Sequence, residues 1–331
     1  MKKTLIALAV LAASGAAMAQ SSVTLYGVVD ANLTWEDNGA QSITRMDPSR
    51  LNGNRFGFRG VEDLGGGMSA IFQLESGFNL DTGASASATS FFNRLSFVGL
   101  TGGFGTVKLG RQNNALYSNL GTFDPMGNAL AGDSASLFQY SGSRNDNVIS
   151  YNYSASGFRG EVQYGLGEVA GNSSANRMVG GFLGYKMGPL DVVLTYQDTK
   201  NVANTDSAKV TLLGGNYNFG VVKAFAAYST EKGLGTTDVR DLLLGLTAPI
   251  GAAGTAMVSY IKEDDRRNAN RDSSLIAVGY KHDLSKRTAL YTSYGQMKND
   301  RNVANRAGGA ALVTPLGNTS KLFNVGVRHM F

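Results

Sequence analysis

The feature that most constrains the fold of this chain is a two-residue alternation of apolar and polar side chains, which recurs along most of its 331 residues. In the first such segment Val23, Leu25 and Val29 share one face, whereas Thr24 and Asp30 share the other. Because successive side chains of a strand point to opposite faces, the alternation predicts strands with one apolar and one polar face. Sixteen such segments begin near residues 22, 54, 68, 91, 105, 147, 158, 176, 190, 208, 221, 238, 254, 273, 287 and 320.

The connections between these segments alternate in length. Short turns such as Gly65-Gly66-Gly67 and Gly188-Pro189 alternate with longer polar segments, the longest being 37–53, 112–145 and 300–319. Lipid supplies no hydrogen-bond partner, so strands cross a membrane only when both edges are paired and the sheet is closed. The pattern therefore predicts an all-β fold, a 16-stranded antiparallel transmembrane β-barrel with short periplasmic turns and long external loops.

Two other architectures share parts of this pattern. A soluble β-sandwich would show the same alternation, but its strands number about seven to nine. The charge-free stretch Leu242–Ile261 has the length of a membrane-spanning helix. It contains Pro249 and three glycines, which disfavour a helix interior and favour two strands joined near Pro249. Aromatic residues crowd the segment ends and are candidates for interfacial girdles: Tyr26, Trp35, Tyr151, Tyr153, Tyr217 and Phe219.

The N-terminus has the composition of a secretory signal. Lys2 and Lys3 precede the apolar run Leu5–Ala13, and small residues end at Ala17-Met18-Ala19. We predict a signal peptide over residues 1–19 and a barrel over residues 20–331. Loss of the two lysines lowers the formal charge from +5 to +3, and no basic stripe follows, so nucleic acid is not an expected partner. The chain has no cysteine and hence no disulfide framework.

Several segments together resemble the trimeric general diffusion porins of Gram-negative outer membranes, most closely their β-proteobacterial branch. They are SVTLYG at 22–27, RFGFRGVEDLGGG at 55–67, NRLSFVGL at 93–100, GRQ at 110–112 and VRHMF at 327–331. The resemblance implies a homotrimer that passes ions and small hydrophilic solutes and contacts outer-membrane lipid and lipopolysaccharide. It also implies that Phe331 belongs to a C-terminal sorting signal read by the outer-membrane assembly machinery. Independently, sixteen strands leave an aqueous lumen, whereas eight do not.

In the resembled family the third external loop folds into the barrel, and here the third loop is 112–145, the longest loop. An ordinary external loop is the alternative. Family motifs place wall arginines opposite that loop, which correspond to Arg55, Arg94 and Arg144. The alternation agrees, because Arg55 opposes Phe56 and Arg94 opposes Phe97. The alternative interpretation is that these arginines are ordinary polar residues of the lumen without a special role.

The third loop departs from the family pattern, because Pro125-Met126-Gly127 stands where many relatives carry an acid after the proline. Asp124 remains as the predicted constriction acid. The wall arginines outnumber the acidic residues of the loop. This excess of positive charge predicts a weak anion preference, since rings of Arg or Lys select anions. The secondary pore-lining candidates are Glu75, Lys108, Arg111, Asp133 and Glu161.

Catalysis is not expected. The only histidines are His282 and His329, and no cluster of metal ligands is evident. We predict no catalytic residue, no cofactor and no metal. The acidic run 263–265 has two interpretations, a solvated loop tip or a site for a divalent cation or lipopolysaccharide. A solute-specific outer-membrane channel is the closer alternative to a general diffusion porin, and an outer-membrane barrel enzyme is the more distant one.

Overall fold

The computed structural model describes residues 21–138, 142–267 and 271–331. The predicted signal peptide lies outside the described residues and stays a prediction. Within them the structure contains seventeen strands, one α-helix and three short 3₁₀ helices. No helix in these ranges is both long and apolar enough to cross a membrane.

The strands are β1 Ser22–Asp37, β2 Ser42–Asp47, β3 Arg55–Gly65, β4 Met68–Gly77, β5 Leu95–Gly102, β6 Gly105–Asn113, β7 Arg144–Ala155, β8 Phe158–Gly165, β9 Met178–Met187, β10 Leu190–Lys200, β11 Ser207–Asn218, β12 Lys223–Gly233, β13 Thr237–Ile250, β14 Gly254–Asp265, β15 Ser273–Asp283, β16 Thr288–Asn299 and β17 Ser320–Met330. Helix α1 spans Ala115–Phe123, and the 3₁₀ helices span Leu130–Gly132, Ser134–Ser136 and Ala307–Gly309.

Sixteen of the strands form a closed antiparallel barrel, as predicted. From β3 to β17 each strand pairs with the next, and β1 closes the ring by pairing with β3 through its first half and with β17 through its second. Each of the sixteen begins within four residues of its predicted start. The extra strand, β2, pairs with the end of β1 and lies in the segment 37–53, which the sequence predicts as a loop.

The seam between the first and last strands closes on the C-terminal residue. Phe331 exchanges two main-chain hydrogen bonds with Gly27, each of 3.1 Å. A Cβ atom at Gly27 would lie 2.7 Å from Cε1 of the Phe331 ring and 2.8 Å from the Arg55 carbonyl oxygen. Glycine is therefore the residue that leaves room for this ring on the outer face.

The alternation correctly predicts the faces of most strands. In β1, Asp30 and Asn32 point inward and are buried, whereas Leu33 is exposed on the outer face. In β5 the alternation predicts the wrong face, because it places Phe97 on the outer, apolar face. Phe97 points inward, since it pairs in register with the inward Gln73, and its neighbour Val98 is 58% exposed on the outer face. Arg94 precedes the first residue of β5, so alternation within that strand does not fix its direction.

The girdle prediction is also wrong at one position. Tyr26 points into the barrel, where its hydroxyl donates a 2.9 Å hydrogen bond to Glu75. By contrast, Trp35 shares the outer face with its register partner Phe323 at the long-loop end. Tyr151 and Tyr217 are exposed near the short-turn end.

The charge-free stretch 242–261 forms the hairpin of β13 and β14, as predicted, with a turn at residues 251–253. Its outer residues, such as Leu244, are exposed. Its inner residues Leu243 and Ile261 are also apolar and are fully covered by the third loop. The stretch resembles a membrane helix in composition because lipid covers one face and protein covers the other.

Candidate functional site

The third loop, residues 114–143, enters the barrel as helix α1. Asn114 caps the helix, because its side-chain oxygen accepts the Leu116 N–H at 2.8 Å and satisfies one of the free donors of the first turn. The buried side of the helix is Ala115, Leu116, Asn119, Leu120 and Phe123. This amphipathic face directs the loop onto the inner wall, and the inward-folded third loop is confirmed.

The inner wall of β10 to β17 is shaped to receive this loop. Where the third loop contacts this wall, its inward residues are apolar rather than polar: Val193, Val210, Leu212, Phe225, Ala227, Leu243, Ile261, Leu275, Met297 and Leu322. Each fully buried large apolar side chain contributes about 1.5–3 kcal/mol. Two glycines allow the closest approach, since a Cβ at Gly214 would lie 2.8 Å from Phe123 Cγ, and one at Gly295 would come within 3.0 Å of Ala131.

Asp124 does not line the lumen, which corrects its prediction as the constriction acid. Only 4% of the residue is exposed. Its carboxylate accepts main-chain hydrogen bonds from Met126 at 2.8 Å, Asn128 at 3.0 Å and Ser134 at 3.2 Å. Burial raises the pKa of Asp124 above its usual value, and these three donors oppose the rise. The carboxylate therefore organises the turn that follows α1, as Asp side chains commonly do at helix ends.

The first loop, residues 38–54, also folds back into the barrel. Its anchor is Asp30, which is fully buried on β1 and accepts the N–H groups of Leu51 at 2.9 Å and Asn52 at 2.7 Å. The Tyr291 hydroxyl from β16 donates to the same carboxylate. The wall thus holds the end of the first loop beside the third.

Arg50, which the sequence analysis missed, joins three loops. Its guanidinium forms an ion pair with Asp47 and donates to the carbonyl of Gly308 in the eighth loop, residues 300–319. Its main-chain carbonyl accepts the N–H of Leu130 in the third loop at 2.9 Å. Alternation carries no information in a loop, and nothing else in the sequence distinguishes Arg50.

These loops and the wall of β3 to β7 enclose a cavity of about 340 Å³. The structure brings the three predicted arginines together on it. Its charged and phenolic lining is Arg50, Arg55, Arg94, Arg144, Tyr117 and Asp133. Asp133, a secondary candidate in the sequence, is the carboxylate on the loop side of this lining.

Glu75 lies behind two of the arginines. Its carboxylate is 2.6 Å from Nε of Arg94 and 3.5 Å from Nε of Arg55, and the residue is 5% exposed. Arg144 donates instead to the Ser143 hydroxyl at 2.9 Å. Over the described ranges no carboxylate lies within 4.0 Å of the Arg144 guanidinium. The positive charge of Arg144 is therefore the least compensated in the cavity.

The remaining predicted residues lie away from the cavity. Lys108 points into the barrel with its ammonium 5.5 Å from the centre of the Phe97 ring. Arg111 forms an ion pair with Asp146 at 2.5 Å. Glu161 lies on β8 and accepts a hydrogen bond from Asn152 at 3.4 Å.

The carboxyl group of Asp133 titrates near neutrality. Burial, and next the nearby charge of Asp124, raise its pKa to about 6, whereas the Ala135 N–H and Arg50 lower it. Burial likewise raises the pKa of the Tyr117 hydroxyl, so this side chain stays neutral. In the part of the chain that the structure describes, no three His, Asp or Glu side chains are grouped to hold a metal ion.

Comparisons with known proteins agree with this geometry. The model of a family described as Gram-negative porin matches residues 4–302. Outer membrane porin protein 32 of Delftia acidovorans is 37% identical over the full length of both chains. The major outer membrane protein P.IB of Neisseria meningitidis serogroup B is 31% identical, also over the full length of both.

Among solved structures, an anion-selective porin from Comamonas acidovorans is 32% identical and superimposes with a TM-score of 0.84. The match covers 94% of this chain and 100% of that one. OmpT of Vibrio cholerae, described in a trimer form, is 14% identical with a TM-score of 0.70, over 94% of this chain and 99% of that one. At that identity it supports the fold alone.

Proposed function

The chain belongs to the Gram-negative porin family, and on that premise we propose that it is a general diffusion channel of the outer membrane with a weak anion preference. Its selectivity is set at the arginine cavity, defined by Arg50, Arg55, Arg94 and Arg144. The solutes are ions and small hydrophilic molecules. No cofactor enters the proposal.

One observation carries the proposal: four guanidinium groups converge on a cavity whose lining, among the residues that the structure describes, contains one carboxylate, that of Asp133. Glu75 compensates part of the charge from behind Arg55 and Arg94. Rings of basic side chains attract anions. The cavity holds about ten water molecules at roughly 30 Å³ each, which is consistent with solvated ions.

The preference should be weak because water screens it. A unit charge pair at about 4 Å in a water-like dielectric is worth about 1 kcal/mol, which corresponds to roughly a fivefold partition. The Debye length is about 10 Å at 0.1 M salt and about 3 Å at 1 M. Selectivity should therefore decrease as salt rises. The anion selectivity stated for the Comamonas acidovorans porin supports the sign of the preference.

Reversal potentials across a planar bilayer under a KCl gradient test the proposal. We expect a potential of anion-selective sign at 0.1 M mean salt that shrinks towards zero at 1 M. A cation-selective sign at low salt would contradict it. Flux of a small sugar measured in proteoliposomes should rise linearly with its gradient, whereas saturation would identify a solute-specific channel.

Placement in the outer membrane also indicates which partners the barrel contacts. We propose a homotrimer, embedded in outer-membrane lipid and lipopolysaccharide and inserted by the assembly machinery through a signal that ends at Phe331. On the wall that includes the seam, a single barrel exposes apolar side chains such as Val23, Leu25 and Val98. An apolar surface of this kind suits contact with lipid or with another subunit. Light scattering in detergent should give three times the mass of one chain, and a monomer would contradict the trimer.

A further inference from the structure

Aromatic side chains mark one membrane boundary on the outer wall near the long loops. Trp35 on β1, Phe323 on β17 and Tyr294 on β16 are neighbours in register and share the outer face. Tyr260 on β14 is also on the outer face and is exposed. Aromatic rings of this kind collect at the membrane–water interface.

Basic residues lie one step beyond this aromatic band, towards the loops. Lys262 follows Tyr260 by two residues, and Lys321 precedes Phe323 by two, so each lies on the same face as its aromatic neighbour. The outward basic residues of this row are Lys209, Lys232, Arg240, Lys262, Lys298 and Lys321. We call this set the basic row. Its height corresponds to the lipid headgroups.

At one place the basic row forms a cavity. Lys262, Ser274 and Lys298 are consecutive register partners across β14, β15 and β16, so two ammonium groups flank one hydroxyl. With Tyr260 below them they line a cavity of about 310 Å³ on the outer wall, which we call the lysine notch. The apolar surface beneath it includes Ile276, which is 52% exposed.

The lysine charges of the notch are available. Over residues 21–138, 142–267 and 271–331, no carboxylate lies within 4.0 Å of either ammonium group. Asp272 and Asp300, which lie just beyond the loop ends of β15 and β16, also line the cavity, and the carboxylate of Asp272 accepts the Asp265 N–H at 3.0 Å. By comparison, Lys232 in the same row is 3.9 Å from Asp238.

We propose that the lysine notch binds the phosphate of an anionic lipid of the outer leaflet, with Lys262 and Lys298 as ion-pairing groups and the Ser274 hydroxyl as a hydrogen-bond donor. The acyl chains lie against Ile276 and the aromatic band below. Basic pockets at the headgroup level of membrane proteins bind phosphorylated headgroups in this way. The inference rests on the membrane placement given above, but not on the ion selectivity.

Native mass spectrometry of the detergent-solubilised protein titrated with diphosphoryl lipid A tests the assignment. We expect Lys262→Gln/Lys298→Gln to weaken lipid A binding about tenfold or more, because both ammonium groups that pair with the phosphate in the notch are lost. The matched control is Lys209→Gln/Lys232→Gln, which removes the same charge from the same row and should retain the affinity within about twofold. An equal loss in both double variants would overturn the assignment to the notch.

Two further arms identify the ligand. Dephosphorylated lipid A should bind both double variants and the parent protein equally weakly, because the lysines then have no partner. Inorganic phosphate at matched concentration should not compete, because it lacks the acyl chains. Effective competition by inorganic phosphate would show an anion site rather than a lipid site. Single-channel conductance of both double variants should equal that of the parent protein, which separates this test from that of the channel function.

Discussion

Arg50 and Leu130 are joined by a main-chain hydrogen bond of 2.9 Å, in which the Leu130 N–H donates to the Arg50 carbonyl. This bond connects the first loop to the third. The Arg50 side chain extends the connection to the eighth loop through the Gly308 carbonyl. The position of the third loop in the lumen is therefore fixed by two other loops as well as by the wall.

Arg50→Ala should loosen this connection and raise single-channel conductance. The variant loses charge-assisted hydrogen bonds, each worth about 1.5–3 kcal/mol, and leaves the Asp47 carboxylate with Arg45 as its remaining ionic partner. Arg50→Lys keeps the charge but not the planar fork, so it should reproduce part of the rise. Conductance at 1 M KCl, where charge effects are screened, is the appropriate measurement. A conductance equal to that of the parent protein in both variants would mean that the wall alone positions the third loop.

Arg144→Ala should lower the anion preference, by up to about fivefold in the permeability ratio at 0.1 M salt. Arg94→Ala should change it in the same direction. Glu75→Gln should have the opposite effect, because it removes the carboxylate that compensates Arg55 and Arg94. Arg111→Ala is the matched control, since Arg111 is paired with Asp146 outside the cavity. A ratio that moves as much in the control as in Arg144→Ala would contradict our location of the selectivity.

Anion preference should increase as pH falls through about 6. Above that pH Asp133 carries a negative charge in the arginine cavity, and below it the carboxyl is neutral because its pKa is raised to about 6. Reversal potentials at pH 7.5 and pH 4.5 measure the change. Asp133→Asn should show the high preference at both pH values. A pH dependence that survives in Asp133→Asn would assign the titration to another group.

The strands could be predicted from sequence because lipid and water impose opposite requirements on the two faces of each one. In β10, Leu194 and Tyr196 face outward, and Thr195 and Gln197 face inward, as the alternation alone indicates. The rule fails where another part of the chain replaces water. Val193 on the same strand is apolar and inward because the third loop covers it.

The residues of the site that the wall supplies were predictable from sequence, whereas of the loop residues only Asp133 was among the candidates. Arg55 and Arg144 have defined positions on or beside strands, so a family motif locates them. Asp124 was assigned wrongly because the role of a loop carboxylate depends on which main-chain N–H groups face it, and here three do. Arg50 reaches the site through the fold of the first loop, which depends on the buried Asp30 and not on a local pattern.

Gly295→Ala should lower conductance by displacing the third loop towards the arginines. The added methyl group would come within 3.0 Å of the carbonyl carbon and the Cβ atom of Ala131 in the third loop. Neither atom can move away by a side-chain rotation. Overpacking of this kind costs about 1–3 kcal/mol, and moving the loop relieves it.

Gly103→Ala is the matched control for this substitution, because a Cβ at Gly103 meets nothing within 4 Å and its backbone is not in the left-handed region. The control should conduct like the parent protein and run as a folded barrel on unheated gels. Gly295→Ala should also run as a folded barrel, since the hydrogen bonds that close the ring do not involve the third loop. If Gly295→Ala conducted at the parent level while remaining folded, the close approach at Ala131 would not be what sets the width of the pore.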